Sequence, residues 1–138
     1  MEITKHYRVP IQCDSCFVEG IVDDNLVDTD YFIKKIDEGV KEKNNMSNKT
    51  NVVGGMTSWK YFIEDKKFTD ILKIIFDFLP NNDLPDLVLL DAWGIKMEEG
   101  HRTREHYHKV DDYSGTIYFN DSDVALQFPQ IKVNVIPK

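Results

Sequence analysis

The sequence predicts an α+β fold in which two helices pack on a mainly antiparallel, barrel-like sheet. Apolar side chains recur at helical spacing in two stretches before about Asp86, and on alternate positions after it. Helices that precede strands in this way are typical of the α+β class. The 138 residues, 41% of them hydrophobic, fit a single domain. Residues 1–85 are predicted to form its support region and residues 86–138 the first part of the barrel.

The amino-terminal region is predicted to begin with one or two strands, near 7–11 and 17–22. A first helix is predicted near 29–43, because residues 28–30 are good capping residues and apolar residues follow at helical spacing. These elements belong to the support region.

A second helix is predicted near 66–79, where apolar residues cover more than one helical face and Pro80 then ends the helix. Beyond Asp86 the apolar residues form short runs of the length and composition of strands. The predicted strands are 87–97, 114–120, 124–128 and 131–136.

Charge and cysteine content narrow the possible functions. The net charge is −7 and no cluster of Lys and Arg stands out, so we expect no direct nucleic-acid binding. No apolar run is long enough for a membrane helix and the start does not resemble a signal peptide, so we expect a cytoplasmic protein without a membrane partner. Cys13 and Cys16 form one C-x-x-C, half of a structural zinc site, and are predicted to be reduced, mostly buried thiols.

Histidines are concentrated late in the chain, at His101, His106 and His108. Residues two apart in a strand point to the same face, so His106 and His108 are predicted to project side by side, as two nitrogen ligands of one metal must. Imidazole suits iron, zinc, copper and nickel, and a carboxylate such as Asp111 or Asp112 favours iron(II) or manganese. The alternative is a surface strand and turn in which two histidines happen to alternate.

The spacing around this pair resembles the first motif of the cupins. Gly100 is followed by five residues, by His106-Tyr107-His108, and by an acidic residue at Asp112. The motif differs in having Asp in place of Glu and in lacking a glycine seven residues later. The resemblance implies a metal site formed by His106, His108 and Asp112.

A second resemblance covers more of the chain. Residues 50–60 and 93–120, including the Tyr118-Phe119-Asn120 strand motif, resemble the small 2-oxoglutarate/iron(II)-dependent oxygenases of tailed phages, which are related to the prolyl 4-hydroxylases. The resemblance implies a double-stranded β-helix, a jelly-roll barrel of the cupin kind. It also implies hydroxylation of a small-molecule or protein substrate, with Fe(II) as cofactor and 2-oxoglutarate as co-substrate.

Four site residues follow from this second resemblance. His106 matches the first iron ligand, and His108 stands where the family usually has an acid. Tyr118 matches the tyrosine whose hydroxyl contacts oxoglutarate, and Lys96 occupies a position that often holds another pocket residue. Arg102 and Arg104 flank these residues and are possible partners of an anionic co-substrate.

The family also has a later histidine ligand and an Arg or Lys that pairs with the oxoglutarate carboxylate, and no His or Arg follows His108 here. Either these residues are a piece of a longer protein, or half of the site has been lost. For these 138 residues alone we therefore expect weak metal binding, negligible turnover, and self-association through an exposed strand edge at 131–136. Alternatives are a cupin-like metal- or small-ligand-binding protein, and a non-catalytic phage structural or accessory protein.

Overall fold

The computed structural model describes residues 1–10, 14–43, 50–77, 88–108, 113–123, 125–128 and 133–137. It confirms a mixed α+β architecture, with two helices and short antiparallel strands in small sheets. Over these ranges each sheet has two strands and no barrel closes. Neither helix in the described part of the chain is long and apolar enough to cross a membrane.

The described residues form two helices and eight strands. The helices are α1 (Thr29–Lys43) and α2 (Lys66–Asp77). The strands are β1 (Glu2–Pro10), β2 (Asp14–Ile21), β3 (Val52–Val53), β4 (Gly55–Met56), β5 (Ile95–Lys96), β6 (Arg102–Thr103), β7 (Leu126–Phe128) and β8 (Val133–Val135).

The chain divides into two compact units. The first contains Met1–Thr29, Ile71–Asp83 and Ile117–Lys138, and the second contains Asp30–Asp70 and Leu84–Thr116. In the first unit β1 pairs with β2, and β7 pairs with β8. In the second unit β3 pairs with β6, and β4 pairs with β5. All four pairings are antiparallel.

The local predictions in the first unit are confirmed in the described residues. The strands predicted near 7–11 and 17–22 lie in β1 and β2, which are longer than predicted. Those predicted at 124–128 and 131–136 contain β7 and β8, and parts of both ranges lie outside the described residues. Cys13 also lies outside them, so the prediction for its thiol is untested.

Both predicted helices are present. Helix α1 has the predicted bounds, and its Phe32 is buried against Phe62 with the ring centroids 6.0 Å apart. Helix α2 begins where predicted, because the Asp65 carboxylate accepts a hydrogen bond from the Phe68 backbone N–H at 2.9 Å. The Tyr31 hydroxyl donates to the other oxygen of Asp65 at 2.5 Å, which ties the start of α2 to α1.

The prediction of a strand over 87–97 is wrong for residues 88–94, which are irregular. This segment forms its hydrogen bonds with a turn instead of a strand. The Ala92 N–H donates to the Trp59 carbonyl at 2.9 Å, and the Phe62 N–H donates to the Ala92 carbonyl at 3.0 Å. An apolar segment whose backbone forms hydrogen bonds with a turn can have the same composition as a buried strand, so the two are not distinguished by sequence. Within 88–97 only β5 is a strand.

The strand predicted at 114–120 is also absent, because residues 114–118 are irregular and 119–120 form a bend. Its small residues Ser114, Gly115 and Thr116 are exposed. Alternation of residue types therefore produced no strand here, since no described strand lies alongside to supply ladder hydrogen bonds.

The core of the second unit depends on close approach between helix and loop. An ideal Cβ added to Gly94 would lie 2.5 Å from the Cγ1 of Ile36, and one added to Gly39 would lie 2.7 Å from the Cγ2 of Thr57. Only glycine fits at such separations, so these two glycines let α1 pack directly on the loop segments. The buried apolar side chains of this core are Phe32, Met56, Phe62 and Ala92.

Substitution of Gly94 by alanine tests this packing. The new methyl group has no space beside Ile36, so we expect Gly94→Ala to lower the free energy of unfolding by about 1–3 kcal/mol. Gly115→Ala is the matched control, because a Cβ there meets nothing within 4 Å. Urea denaturation measures both variants, and equal stability of the two would contradict the close approach.

Candidate metal centre

The histidine pair follows a short turn that two strand pairings hold at its base. Strands β5 and β6 flank the turn, and they pair with β4 and β3 respectively. The His101 N–H donates to the Glu98 carbonyl at 2.9 Å, and His101 Nδ1 accepts the Glu98 N–H at 3.1 Å. Gly100 has φ of +80°, a left-handed conformation that glycine adopts without strain. The turn is therefore held by hydrogen bonds between Glu98 and His101 and by the conformation of Gly100.

The chain stays paired for one residue beyond β6. The Arg104 N–H donates to the Asn51 carbonyl at 2.8 Å. Residues 104–108 then form no strand, so the two histidines lie on an irregular segment that extends from a strand end. Both imidazoles are exposed, as is every residue from His101 to His108.

The rings of His106 and His108 lie side by side. Their centroids are 5.2 Å apart and their planes are inclined by 60°. A metal–nitrogen bond of about 2.1 Å and a ring radius of about 1.1 Å place the centroids of two imidazoles on one metal about 4.5 Å apart at a 90° ligand angle and about 5 Å apart at a tetrahedral angle. The observed separation therefore suits two ligands of one ion.

The hydrogen bonding of His106 leaves one nitrogen for a ligand. Its Nδ1 lies 2.8 Å from the carbonyl oxygen of Arg104, which can only accept, so Nδ1 carries the proton in the neutral ring. The lone pair is then on Nε2, the nitrogen that remains for a metal. A backbone carbonyl that fixes the tautomer and orientation of a histidine is a common outer partner of metal ligands.

The third predicted ligand, Asp112, lies outside the described residues, as does Asp111. Within the residues that the structure describes, no three His, Cys, Asp or Glu side chains are grouped closely enough to hold a metal. The described part of the centre thus consists of the two histidines, and the role of Asp112 stays a prediction.

Tyr118 belongs to the first unit, whereas the histidines belong to the second. It is 40% exposed, and burial raises the pKa of its phenol above the ordinary 10.0. The hydroxyl is therefore protonated at neutral pH and able to donate a hydrogen bond. The predicted contact of Tyr118 with a co-substrate stays a prediction.

Lys96, the other predicted cofactor-binding residue, is bound to helix α1. Its ammonium lies 2.7 Å from Asp37 Oδ1 and 3.9 Å from Glu98 Oε1. The hydrogen bond to Asp37 raises the pKa of Lys96 above 10.5, and the same bond holds the pKa of Asp37 below 3.8. No local pattern in the sequence indicates this pair, because the two residues are 59 positions apart.

Trp59 and Trp93 form an aromatic pair in the second unit, and Trp59 is exposed. The ring centroids are 4.7 Å apart with a T-shaped geometry, and Trp59 is 36% exposed.

Comparisons of this chain with protein family models, with curated proteins and with solved structures find no match. The function is therefore inferred from the residues and their geometry. Among these, the histidine pair has the most specific chemistry.

The Lys96–Asp37 pair predicts a pH dependence. Because the pKa of Asp37 is depressed in the folded state, the stabilisation is present above the ordinary carboxyl pKa and is lost as the pH falls through the depressed value. We expect the Asp37 carboxyl carbon, followed by NMR, to titrate at higher pH in Lys96→Met. Lys34→Met should leave it unchanged, since Lys34 pairs with Glu38. An unshifted Asp37 titration in Lys96→Met would contradict the pairing.

Proposed function

We propose that this chain binds a divalent transition metal through His106 and His108 and serves iron(II)/2-oxoglutarate-dependent oxygenation. One observation carries the proposal: the two imidazoles lie 5.2 Å apart, and the tautomer of His106 is fixed by the Arg104 carbonyl. Imidazole nitrogens suit a transition metal far better than magnesium or calcium, which take oxygen ligands.

Asp112 is the proposed third ligand. Two histidines and a carboxylate on one side of the metal form the ligand set of non-haem iron(II) oxygenases, which leaves open positions for co-substrate and oxygen. Asp112 follows His108 by four residues, so its carboxylate is close to the pair in sequence. Iron(II) with oxygen supplies the oxidising chemistry when bound, while the residues of the chain hold and orient the reactants.

The proposal includes the double-stranded β-helix. Jelly-roll barrels are built from antiparallel strands, and all four strand pairs of the described residues are antiparallel. The position of the histidines just beyond β6 is also compatible with a ligand motif that follows a strand.

Tyr118 and Lys96 are the proposed contacts of 2-oxoglutarate. The phenol of Tyr118 is a suitable donor to a carboxylate, because it is protonated at neutral pH. Lys96 is a suitable cation only if a carboxylate of the co-substrate replaces Asp37 as its partner. The two residues therefore contribute to binding and not to metal coordination.

A metal- or small-ligand-binding role without oxygenation is the second candidate, and one observation favours it. Both histidines are exposed, whereas oxygenation benefits from a site that excludes water. The cupin-like spacing of Gly100, His106 and His108 fits this role equally well. Binding of the co-substrate distinguishes the two candidates.

Manganese(II) binding tests the metal centre, because manganese is a stable substitute for iron(II) in such sites. We expect His106→Ala/His108→Ala to lower the affinity at least about ten-fold, since both proposed nitrogen ligands are lost. The control is His101→Asn, whose amide oxygen can replace Nδ1 as the acceptor in the turn. Electron paramagnetic resonance of free manganese gives the affinity, and an unchanged value in the double variant would refute the metal centre.

Binding of 2-oxoglutarate to the manganese-loaded chain tests the oxygenase half of the proposal. We expect metal-dependent binding by calorimetry, weakened about ten-fold in Tyr118→Phe through loss of one hydrogen bond. Tyr107→Phe is the control, because Tyr107 is 74% exposed and has no proposed role in co-substrate binding. Manganese binding without any binding of 2-oxoglutarate would leave the metal centre standing and reject oxygenation.

A further inference from the structure

Strand β6 has an outer edge whose backbone groups can be identified from the register. Val53 lies opposite Arg102, and Val52 lies opposite Thr103. The Arg104 N–H donates to the Asn51 carbonyl, so Arg104 and Arg102 occupy hydrogen-bonded positions and Thr103 a non-hydrogen-bonded one. The N–H and carbonyl of Thr103 therefore point away from β3.

The opposite edge of the same sheet is closed by a side chain. Val52 is the partner of Thr103, so its N–H points away from β6, and it donates to the Thr50 hydroxyl at 3.2 Å. No described residue closes the β6 edge in a comparable way. The sheet therefore offers one strand edge for pairing with a further strand.

The side chains along this edge are cationic. Arg102 and Arg104 are two residues apart on paired backbone, so they share one face of the sheet, about 6.6 Å apart along the strand. Both are exposed, and no carboxylate among the described residues pairs with either guanidinium. They form a local basic strip in a chain whose net charge is −7.

We propose that the β6 edge binds an acidic peptide segment of a partner protein, in extended conformation, as an added strand. Backbone hydrogen bonds to Thr103 would provide the pairing, and carboxylates on alternate residues of the peptide would meet Arg102 and Arg104. Strand addition with side-chain selection on alternate positions is a known mode of peptide recognition.

The positive charge of Arg102 and Arg104 favours an acidic peptide over a second copy of this chain or a nucleic acid. A second copy of β6 would bring arginines against arginines, which disfavours self-pairing at this edge. A nucleic acid carries charge along its whole length and would meet the acidic remainder of the chain as well. An acidic strand can neutralise the two arginines with carboxylates on two alternate residues.

An alternating Thr-Glu octapeptide labelled with a fluorophore is the probe, and its anisotropy reports binding to the full chain. We expect saturable binding that Arg102→Gln/Arg104→Gln weakens about ten-fold, because the double variant loses two exposed ion pairs with the peptide. Lys41→Gln/Lys60→Gln is the matched control, because it changes the net charge equally at exposed positions away from β6. An alternating Thr-Lys octapeptide should not bind.

Thr103→Pro tests the backbone pairing. Proline removes the N–H of residue 103, which points away from β3, without removing a hydrogen bond to β3. We therefore expect Thr103→Pro to weaken binding of the peptide as much as the arginine substitutions do. Methylation of alternate backbone amides of the peptide removes donors from the other side and should also abolish binding, whatever the variant does to folding.

Several outcomes would overturn the proposal. These are the absence of saturable binding, equal binding of the lysine peptide, and unchanged affinity for the methylated peptide. Tighter binding of oligothymidylate than of the acidic peptide would assign the strip to nucleic acid instead.

Discussion

The arrangement of the loop segments in the second unit depends on the buried contact between Thr57 and Gly94. Thr57 is fully buried, its N–H donates to the Gly94 carbonyl at 3.0 Å, and its hydroxyl accepts the Gly94 N–H at 2.9 Å. The hydroxyl proton goes to the Ser58 carbonyl at 3.1 Å. A buried polar group without a partner destabilises a fold by about 1–3 kcal/mol, so this reciprocal contact restricts both loop segments to one arrangement.

The contact also determines how the helix and the candidate centre are attached. The methyl group of Thr57 faces Gly39, so α1 can approach the loop only because its residue there has no side chain. On the other side, Gly94 leads directly into β5 and the turn, and from there into β6 and the histidines. The Lys96–Asp37 pair adds a second connection between this segment and α1. The Thr57–Gly94 and Lys96–Asp37 contacts lie at or before β5, so they orient the start of this segment and not its exposed end with the histidines.

How much the sequence predicts depends on whether the information is local. The helices and the strands of the β1–β2 pair were predictable, because each follows from spacing within a few residues. The adjacency of His106 and His108 was predicted from strand alternation, but the two residues lie on an irregular segment. The irregular course of 88–94 was not, because its partner is a turn that lies distant in sequence. The Lys96–Asp37 ion pair was also unpredictable, because the two residues are 59 positions apart. The tautomer of His106 depends on a carbonyl direction, which residue types do not specify.

The most direct test of this account is hydrogen exchange at the Gly94 amide in Thr57→Val and Thr57→Ser, followed by NMR. Valine has nearly the shape of threonine but no acceptor, whereas serine keeps the hydroxyl and loses only the methyl group. The account predicts that the Gly94 amide exchanges at least about ten-fold faster in Thr57→Val, which corresponds to about 1.4 kcal/mol, and stays protected in Thr57→Ser. Unchanged protection of Gly94 in Thr57→Val would show that the hydroxyl does not hold this segment in place.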